Sequence, residues 1–334
     1  MKRILLTFAL AMFVCGAFAQ SIDRLGIEFR GDWQYDSDVS FHTKKRGSAS
    51  GFAGKFANFR IDGTIADGWS YSFRYRMNKI QANPFAATDW ATVTYATNAW
   101  EFSAGKQVVA IGGYEYDRAP IDIYFASEYW QNIACYQFGA SAAYKFGDSH
   151  GSKLLAQICQ SPYDFDNEGL YAYNLMYMSD HSLSSVNLLE YTPGKYIGYV
   201  ALGCREELGD VAIEFDVMDR IDFGNKTSSF SAMVDVKWAV NDQLNIFTHG
   251  SYDVNTNILN DGKIMRDPTV ENGVKTWHIG GGVEYFPKGL KDVRLHAASS
   301  YVIGNKDLPV GVLRDGDFMF QMGVTWRVNL LGKN

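Results

Sequence analysis

The chain has 334 residues, with 31 lysines and arginines against 37 aspartates and glutamates, a net charge of −6. That acidic balance argues against a general nucleic-acid binder. Aromatic residues make up 15 % and prolines number only 7, which excludes a low-complexity or disordered chain.

In chain order, Met1-Lys2-Arg3 supplies a basic start, Ile4 to Gly16 an apolar run, and Ala17-Phe18-Ala19 a small-residue cleavage site. Residues 1–19 therefore read as a secretory signal peptide cut before Gln20. Cys15 does not suit a lipoprotein, because bulky Val14 stands where a small residue is expected. Without residues 1–19, 29 basic and 37 acidic side chains remain, a net charge of −8. Cys135, Cys159 and Cys204 are scattered and odd in number, so they read as isolated thiols without a disulfide framework or metal spacing.

Residues 20–334 read as one transmembrane β-barrel domain. No apolar stretch there approaches the ~20 residues of a transmembrane helix, so any membrane span must be built from strands closed on themselves. The clearest strand is WSYSFRYRMNK, where Trp69, Tyr71, Phe73, Tyr75 and Met77 alternate with Ser70, Ser72, Arg74, Arg76 and Asn78. Side chains alternate faces on a strand, so one face is wholly apolar and the other wholly polar. Sixteen such segments are expected: 24–36, 52–63, 69–79, 88–97, 99–108, 133–146, 153–160, 170–179, 183–191, 195–206, 211–221, 228–239, 243–253, 275–286, 292–303 and 317–330. Alternation blurs only in the middle, at Leu154-Leu155 and Leu188-Leu189.

The connections sort by parity. Those after even-numbered strands are mostly tight, as at Ile65-Ala66-Asp67-Gly68 and Glu207-Leu208-Gly209-Asp210; those after odd-numbered strands are mostly long, as at 37–51, 109–132 and 254–274. Short turns at one end and long loops at the other mark a bacterial outer-membrane barrel. Trp69, Trp100, Tyr144 and Trp326 fall near the short-turn ends, and Trp33, Tyr35, Tyr252 and Trp277 near the long-loop ends, as two interfacial belts would. The apolar face of WSYSFRYRMNK is then the lipid face. About 20 residues per strand and connection fit sixteen strands around an aqueous lumen, with fourteen and eighteen as the alternatives.

The hairpin ANFRIDGTIADGWSYSFRYRMN (57–78), the segment WEFSAGKQ (100–107) leading into a long loop, and the closing strand FQMGVTWRVN (320–329) resemble the phosphate-selective porin O and P family of Gram-negative outer-membrane porins. The resemblance implies a sixteen-stranded homotrimeric porin whose third loop, here Val108 to Gln131, folds into the lumen. In two respects the chain departs from that pattern. The family's anion-selective members carry a dense basic cluster on the third loop, whereas this loop has only Arg118 against Glu115, Asp117, Asp122 and Glu128. The final residues, Leu330-Leu331-Gly332-Lys333-Asn334, also differ from the aromatic residue on which such barrels usually end.

By strand parity Arg30, Arg60, Arg74 and Arg76 face the lumen, and closure of the barrel brings Arg294 and Arg327 to the same wall. The expected constriction sets Arg60, Arg74, Arg76, Arg294 and Arg327 against Glu115, Asp117 and Asp122 of the third loop, with Arg118 beside them. Acid facing base across a pore makes a transverse field that orders water and admits small ions of either sign. The competing expectation is that these arginines are simply paired with lumen carboxylates. His249, His278 and His296 read as solvated lumen residues on separate strands, not as a metal site. Ile279-Gly280-Gly281-Gly282 is no phosphate loop, since no helix follows; it reads as a strand crowded by a neighbour. Together these features suggest an outer-membrane porin for passive diffusion of ions and small hydrophilic solutes, without catalysis, cofactor, metal or nucleic acid. Its partners would be outer-membrane lipid, the solutes and two further copies. The alternatives are a barrel enzyme of the lipase or protease type and an adhesion barrel that binds through outer loops such as 254–274.

Overall fold

The computed structural model describes residues 21–37, 48–79, 84–147, 151–164, 169–221, 229–256, 269–290, 292–304 and 316–331. The expected signal peptide and most of the loop tips lie outside the described residues.

Sixteen strands follow one another along the chain: β1 Ser21–Asp36, β2 Ala49–Ala66, β3 Trp69–Arg76, β4 Thr88–Ala96, β5 Trp100–Val108, β6 Tyr136–Phe146, β7 Ser152–Gln160 and β8 Tyr171–Met178. The second half comprises β9 Ser182–Thr192, β10 Lys195–Leu208, β11 Val211–Ile221, β12 Ser229–Asn241, β13 Leu244–Asn255, β14 Lys275–Tyr285, β15 Val293–Ile303 and β16 Asp317–Leu331. Each pairs antiparallel with its neighbours in sequence, and β1 pairs with β16, so the sheet is a closed barrel. All sixteen expected segments are strands. The largest differences are three residues at one end: β1 starts at Ser21 instead of 24, β3 stops at Arg76 instead of 79 and β6 starts at Tyr136 instead of 133, while β2 extends three residues further at both ends, as Ala49–Ala66.

Closure leaves no unpaired edge, the condition for a sheet to sit in hydrocarbon. The alternation sorts as the sequence implies. Leu175 and Leu202 point outward and are 48 % and 59 % exposed, whereas Arg74 and Asp216 point inward and are 2 % and 3 % exposed. Ring pairs gather at both rims: Trp69 with Tyr95 and Trp100 with Tyr144 toward the short turns, Trp33 with Phe320 and Tyr252 with Trp277 toward the long connections. The two-residue turn Gly209-Asp210 between β10 and β11 needs a left-handed residue, and Gly209 supplies it at φ 63°.

The connection 109–135 between β5 and β6 is the exception to regularity. It contains two short helices, α1 Tyr114–Asp117 and α2 Glu128–Asn132, and a single 3-10 turn at Pro120–Asp122. Val109, Ile111, Tyr116, Tyr129 and Ile133 of this segment form a buried apolar cluster with Cys159, Leu189, Ile197, Tyr199, Met218 and Met233 from β7 and β9 to β12. That explains the blurred alternation. Leu189 points inward yet is fully buried, because the segment packs on that wall and makes inward positions apolar too. Cys159 is buried in this cluster as a free thiol.

Phe73 lies on the outward face of β3, stacked beside Tyr75. Phe73→Arg should lower the unfolding free energy by about 2–4 kcal/mol if the site sits at mid-membrane, read by urea titration of the chain in bilayers. The unsubstituted chain should keep a distinct folded gel mobility in cold detergent and lose it on boiling.

Candidate functional site in the lumen

Segment 109–135 is tied to inward-facing side chains on opposite walls. On one side, the Ala110 amide donates to Gln157 Oε1 of β7 (2.8 Å), Asn187 Nδ2 of β9 donates to the Ala110 carbonyl (2.7 Å), and the Gly112 amide donates to Ser185 Oγ (3.0 Å). Asp216 of β11 accepts the Tyr114 and Glu115 amides at 2.9 and 2.7 Å, holding the first turn of α1. A Cβ on Gly203 would lie 2.3 Å from Asp216 Oδ1, so only glycine leaves room for this carboxylate. Across the barrel, Arg30 Nη1 of β1 donates to the Ile121 and Ile123 carbonyls at 3.2 and 2.7 Å, and Gln321 Nε2 of β16 donates to the Tyr124 carbonyl at 2.7 Å. A backbone held in the interior of a barrel must have its polar groups satisfied, and here wall side chains do it.

The structure brings together only part of the expected constriction. Asp122 receives Arg294 Nη2 at 2.8 Å and Arg327 Nη2 at 2.7 Å, and Arg294 also reaches Glu284 at 3.0 Å. Burial works to raise the Asp122 carboxyl, but Arg327 and Arg294 outweigh it and hold it below its ordinary value. Arg60, Arg74 and Arg76 do not face the loop acids; they pair with strand carboxylates. Arg60 Nε meets Asp62 at 2.7 Å, Arg74 meets Glu28 at 3.0 Å and Asp89 at 3.5 Å, and Arg76 meets Asp89 at 2.6 Å. Glu115 does not face the arginines either. It is turned toward β13, 2 % exposed, accepting Ser127 N (2.9 Å) and Oγ (2.6 Å), with His249 Nε2 at 3.8 Å. Burial pushes its carboxyl up to about 7, against the opposing pull of His249 and Ser127. Arg118 bonds Glu214 and reaches Asp235 at 3.1 Å, on the wall opposite Arg60. Asp117 is exposed.

Two participants escaped sequence reasoning. Asp89 and Trp90 are adjacent on β4 yet both meet inward arginines: Asp89 joins Arg74 and Arg76, and the Trp90 ring lies 5.4 Å from the Arg60 and 4.9 Å from the Arg74 guanidinium carbon. A register shift at Arg74/Tyr75 lets consecutive residues share a side. Trp90 thus lies against Arg60 and Arg74, which are direct cross-strand partners of like charge. The histidines also differ from expectation. His249 and His296 are buried rather than solvated, bonded to Asp235 and Asp32 at 3.0 Å each, because segment 109–135 covers them. They are held apart on these partners, and among the described residues no group of three His, Cys, Asp or Glu suits a metal ion.

Two cavities flank the segment. One of about 440 Å3 opens toward the short-turn end, with Arg118, Lys237, Arg294 and Arg327 set against Glu115, Asp122, Glu214, Asp235 and Glu284. The other, about 400 Å3, opens toward the long-connection end, where Asp36, Glu128, Asp253 and Asp317 are among the described residues that line it.

A closed sixteen-stranded barrel with a charged, cavity-bearing interior defines the porin class. Residues 27–197 match the family described as phosphate-selective porin O and P, and the chain belongs to that family. It is an outer-membrane channel for ions and solutes. No curated protein matches the chain. Among solved structures it is similar to the outer membrane channel DcaP of Acinetobacter baumannii, with TM-score 0.63 and 14 % identity over 91 % of this chain and 96 % of that one. It is also similar to an anion-selective porin from Comamonas acidovorans, with TM-score 0.62 and 11 % identity over 91 % and 98 %. A loop-deletion form of OmpT of Vibrio cholerae gives TM-score 0.60 and 13 % identity over 92 % and 99 %. At these identities the likeness is one of fold.

Asp216 is the fastening most open to test. Asp216→Ala removes two charge-assisted bonds of ~1.5–3 kcal/mol each, so amide exchange at Tyr114 and Glu115 should quicken on the order of tenfold or more, with barrel amides unchanged. Hydrogen-exchange mass spectrometry of the detergent-folded chain reads this directly.

Proposed function

We propose that this porin works by passive diffusion, with segment 109–135 as its constriction, and that it carries small ions of both signs and hydrophilic solutes without catalysis. The supporting observation is the charge pairing around the inner cavity, where each guanidinium at the segment already has carboxylate partners: Arg294 with Asp122 and Glu284, Arg327 with Asp122, Arg118 with Glu214 and Asp235. A phosphate entering here would have to displace a bonded carboxylate, so these arginines do not make a dedicated phosphate site. They make a field across the lumen that weakens no particular ion strongly.

Two finer readings go with this. Residues 1–19 direct the chain through the inner membrane and are removed before Gln20. The functional unit is a homotrimer; in-vitro folded OmpT of Vibrio cholerae, a relative in fold at TM-score 0.57 and 14 % identity, is described in a trimer form.

The experiment is reversal potential in planar bilayers under a salt gradient. The unsubstituted chain should conduct with weak preference between cations and anions. Asp122→Asn should shift the reversal potential toward anion preference, because Arg294 and Arg327 lose their shared partner. Arg294→Gln with Arg327→Gln should shift it toward cations. Both shifts should shrink at ~1 M salt, where the screening length falls to about 3 Å. A chain that inserts and folds but never conducts would overturn the porin reading.

A further inference from the structure

From the short-turn end upward, the outward face of β5 reads Trp100, Phe102, Ala104, Lys106 and Val108. Lys106 is the misfit, a charged residue on the face that meets lipid. Its side is fixed by its neighbours. It is the cross-strand partner of Phe138 on β6 and Ala91 on β4, and Phe138 is 43 % exposed on the outer wall. The next residue, Gln107, turns inward and accepts the Ser141 hydroxyl at 2.8 Å. β5 has 9 residues, which at ~3.3 Å each and ~45° tilt cover about 21 Å, barely the ~25 Å of a barrel's apolar band. Lys106 lies one outward position from the far end of this strand. It therefore stands at headgroup level on the long-connection side, where a charge on the outer wall is tolerated.

Among the described residues the Lys106 ammonium donates to one acceptor, the Phe85 carbonyl at 2.7 Å, in a 3-10 turn at Pro84–Ala86. That turn folds over the outer wall, with the Phe85 ring 5.6 Å from Phe138. Lys79, exposed just beyond the end of β3, is near enough to repel Lys106. Asp89 attracts Lys106 from the inward side, but Arg74 and Arg76 already hold that carboxylate. Directly below, the outer wall carries a depression of about 830 Å3, floored by Ala104, Ala140, Ala142 and Ala156 and banked by Phe102 and Tyr173. Ala104 is the next outward residue beneath Lys106, so the charged rim and the apolar hollow are continuous.

We propose that Lys79 and Lys106 hold the phosphate of an anionic membrane lipid, one acyl chain of which lies in this depression. The site goes beyond conduction and rests only on the barrel sitting in a membrane. An ammonium has three donors, and Phe85 takes one of those on Lys106, which leaves two for phosphate oxygens. Two like charges side by side at headgroup level are stabilised by the anion they share. A chain descending from that phosphate meets Ala104 first and then the hollow, where small side chains leave room for it. Free phosphate gains the charge but nothing from the apolar floor.

The test uses the full-length folded protein with dimyristoylphosphatidic acid and dimyristoylphosphatidylcholine, which share their chains and differ in headgroup. Native mass spectrometry from detergent counts the lipid retained. Phosphatidic acid should be retained at a concentration about tenfold below phosphatidylcholine. Lys79→Gln with Lys106→Gln should abolish that preference, and Lys79→Arg with Lys106→Arg should keep it, both variants being shown to fold by heat-modifiable gel mobility. Ala140→Leu with Ala142→Leu fills the hollow and should weaken retention of both lipids. Excess inorganic phosphate should leave the lipid in place. Phe138→benzoylphenylalanine, photolysed in vesicles of the two lipids, should form an adduct with phosphatidic acid. Equal retention of the two lipids, or a preference that survives loss of both lysines, would overturn the proposal. Displacement by inorganic phosphate would make the lysines a plain anion site, and a chain-to-chain photo-adduct would put a second copy on this face; either result sinks the lipid assignment.

Discussion

The pairing of β1 with β16 is the contact on which the rest depends. Without it the sheet would end in two rows of open amides and carbonyls, which hydrocarbon cannot satisfy. Its register sets Glu28 beside Arg327 and Arg30 beside Thr325, and so brings the first and last strands' charges into one wall. Arg294 joins through its own pairing with Thr325 on β16. Charges from opposite ends of the chain thus meet around Asp122 of the inner segment.

The interior that results is divided. Over β7 and β9 to β12 it behaves like a soluble core, with Leu189, Ile197, Tyr199, Met218 and Met233 packed on Val109, Ile111, Tyr116 and Tyr129. Over β1 to β4 and β14 to β16 it is an ionic lattice. The apolar half contributes burial energy that secures the segment, and Asp216, Gln157 and Asn187 satisfy its backbone. The ionic half leaves open volume, because long, paired and solvated side chains cannot close-pack as the apolar ones do. An asymmetric interior is what lets one segment be both rigidly anchored and exposed to passing solute.

The pairing of charges bears directly on selectivity. An unpaired guanidinium cluster would bind phosphate bidentately. Here Arg30, Arg60, Arg74, Arg76, Arg294 and Arg327 each have a carboxylate within hydrogen-bonding reach or close to it. Membership of a family described as phosphate-selective therefore coexists with a wall on which each of these six arginines already has a carboxylate partner.

The sixteen strand segments, most inward and outward faces and the parity of loop length were legible in the sequence, with boundaries to within three residues, because a two-residue period and turn chemistry are local properties. So was the inward placement of Arg74, Arg76, Arg294 and Arg327. Local pattern could not say which carboxylate each arginine meets. The register shift that turns both Asp89 and Trp90 toward Arg74 is a property of two strands together, and no alternation in either reveals it. Nor could the charges of 108–131 reveal that Glu115 turns toward His249 while Asp122 meets Arg294 and Arg327, since that depends on how Pro120, Asp216 and the apolar cluster bend the segment. Gly280 shows the same division: its sequence context announced a crowded place, and only the folded chain names Phe125 as what crowds it. Periodicity determines which face a residue takes, whereas the identity of its partner is decided by contacts between residues far apart in the chain, which only the closed barrel brings within reach.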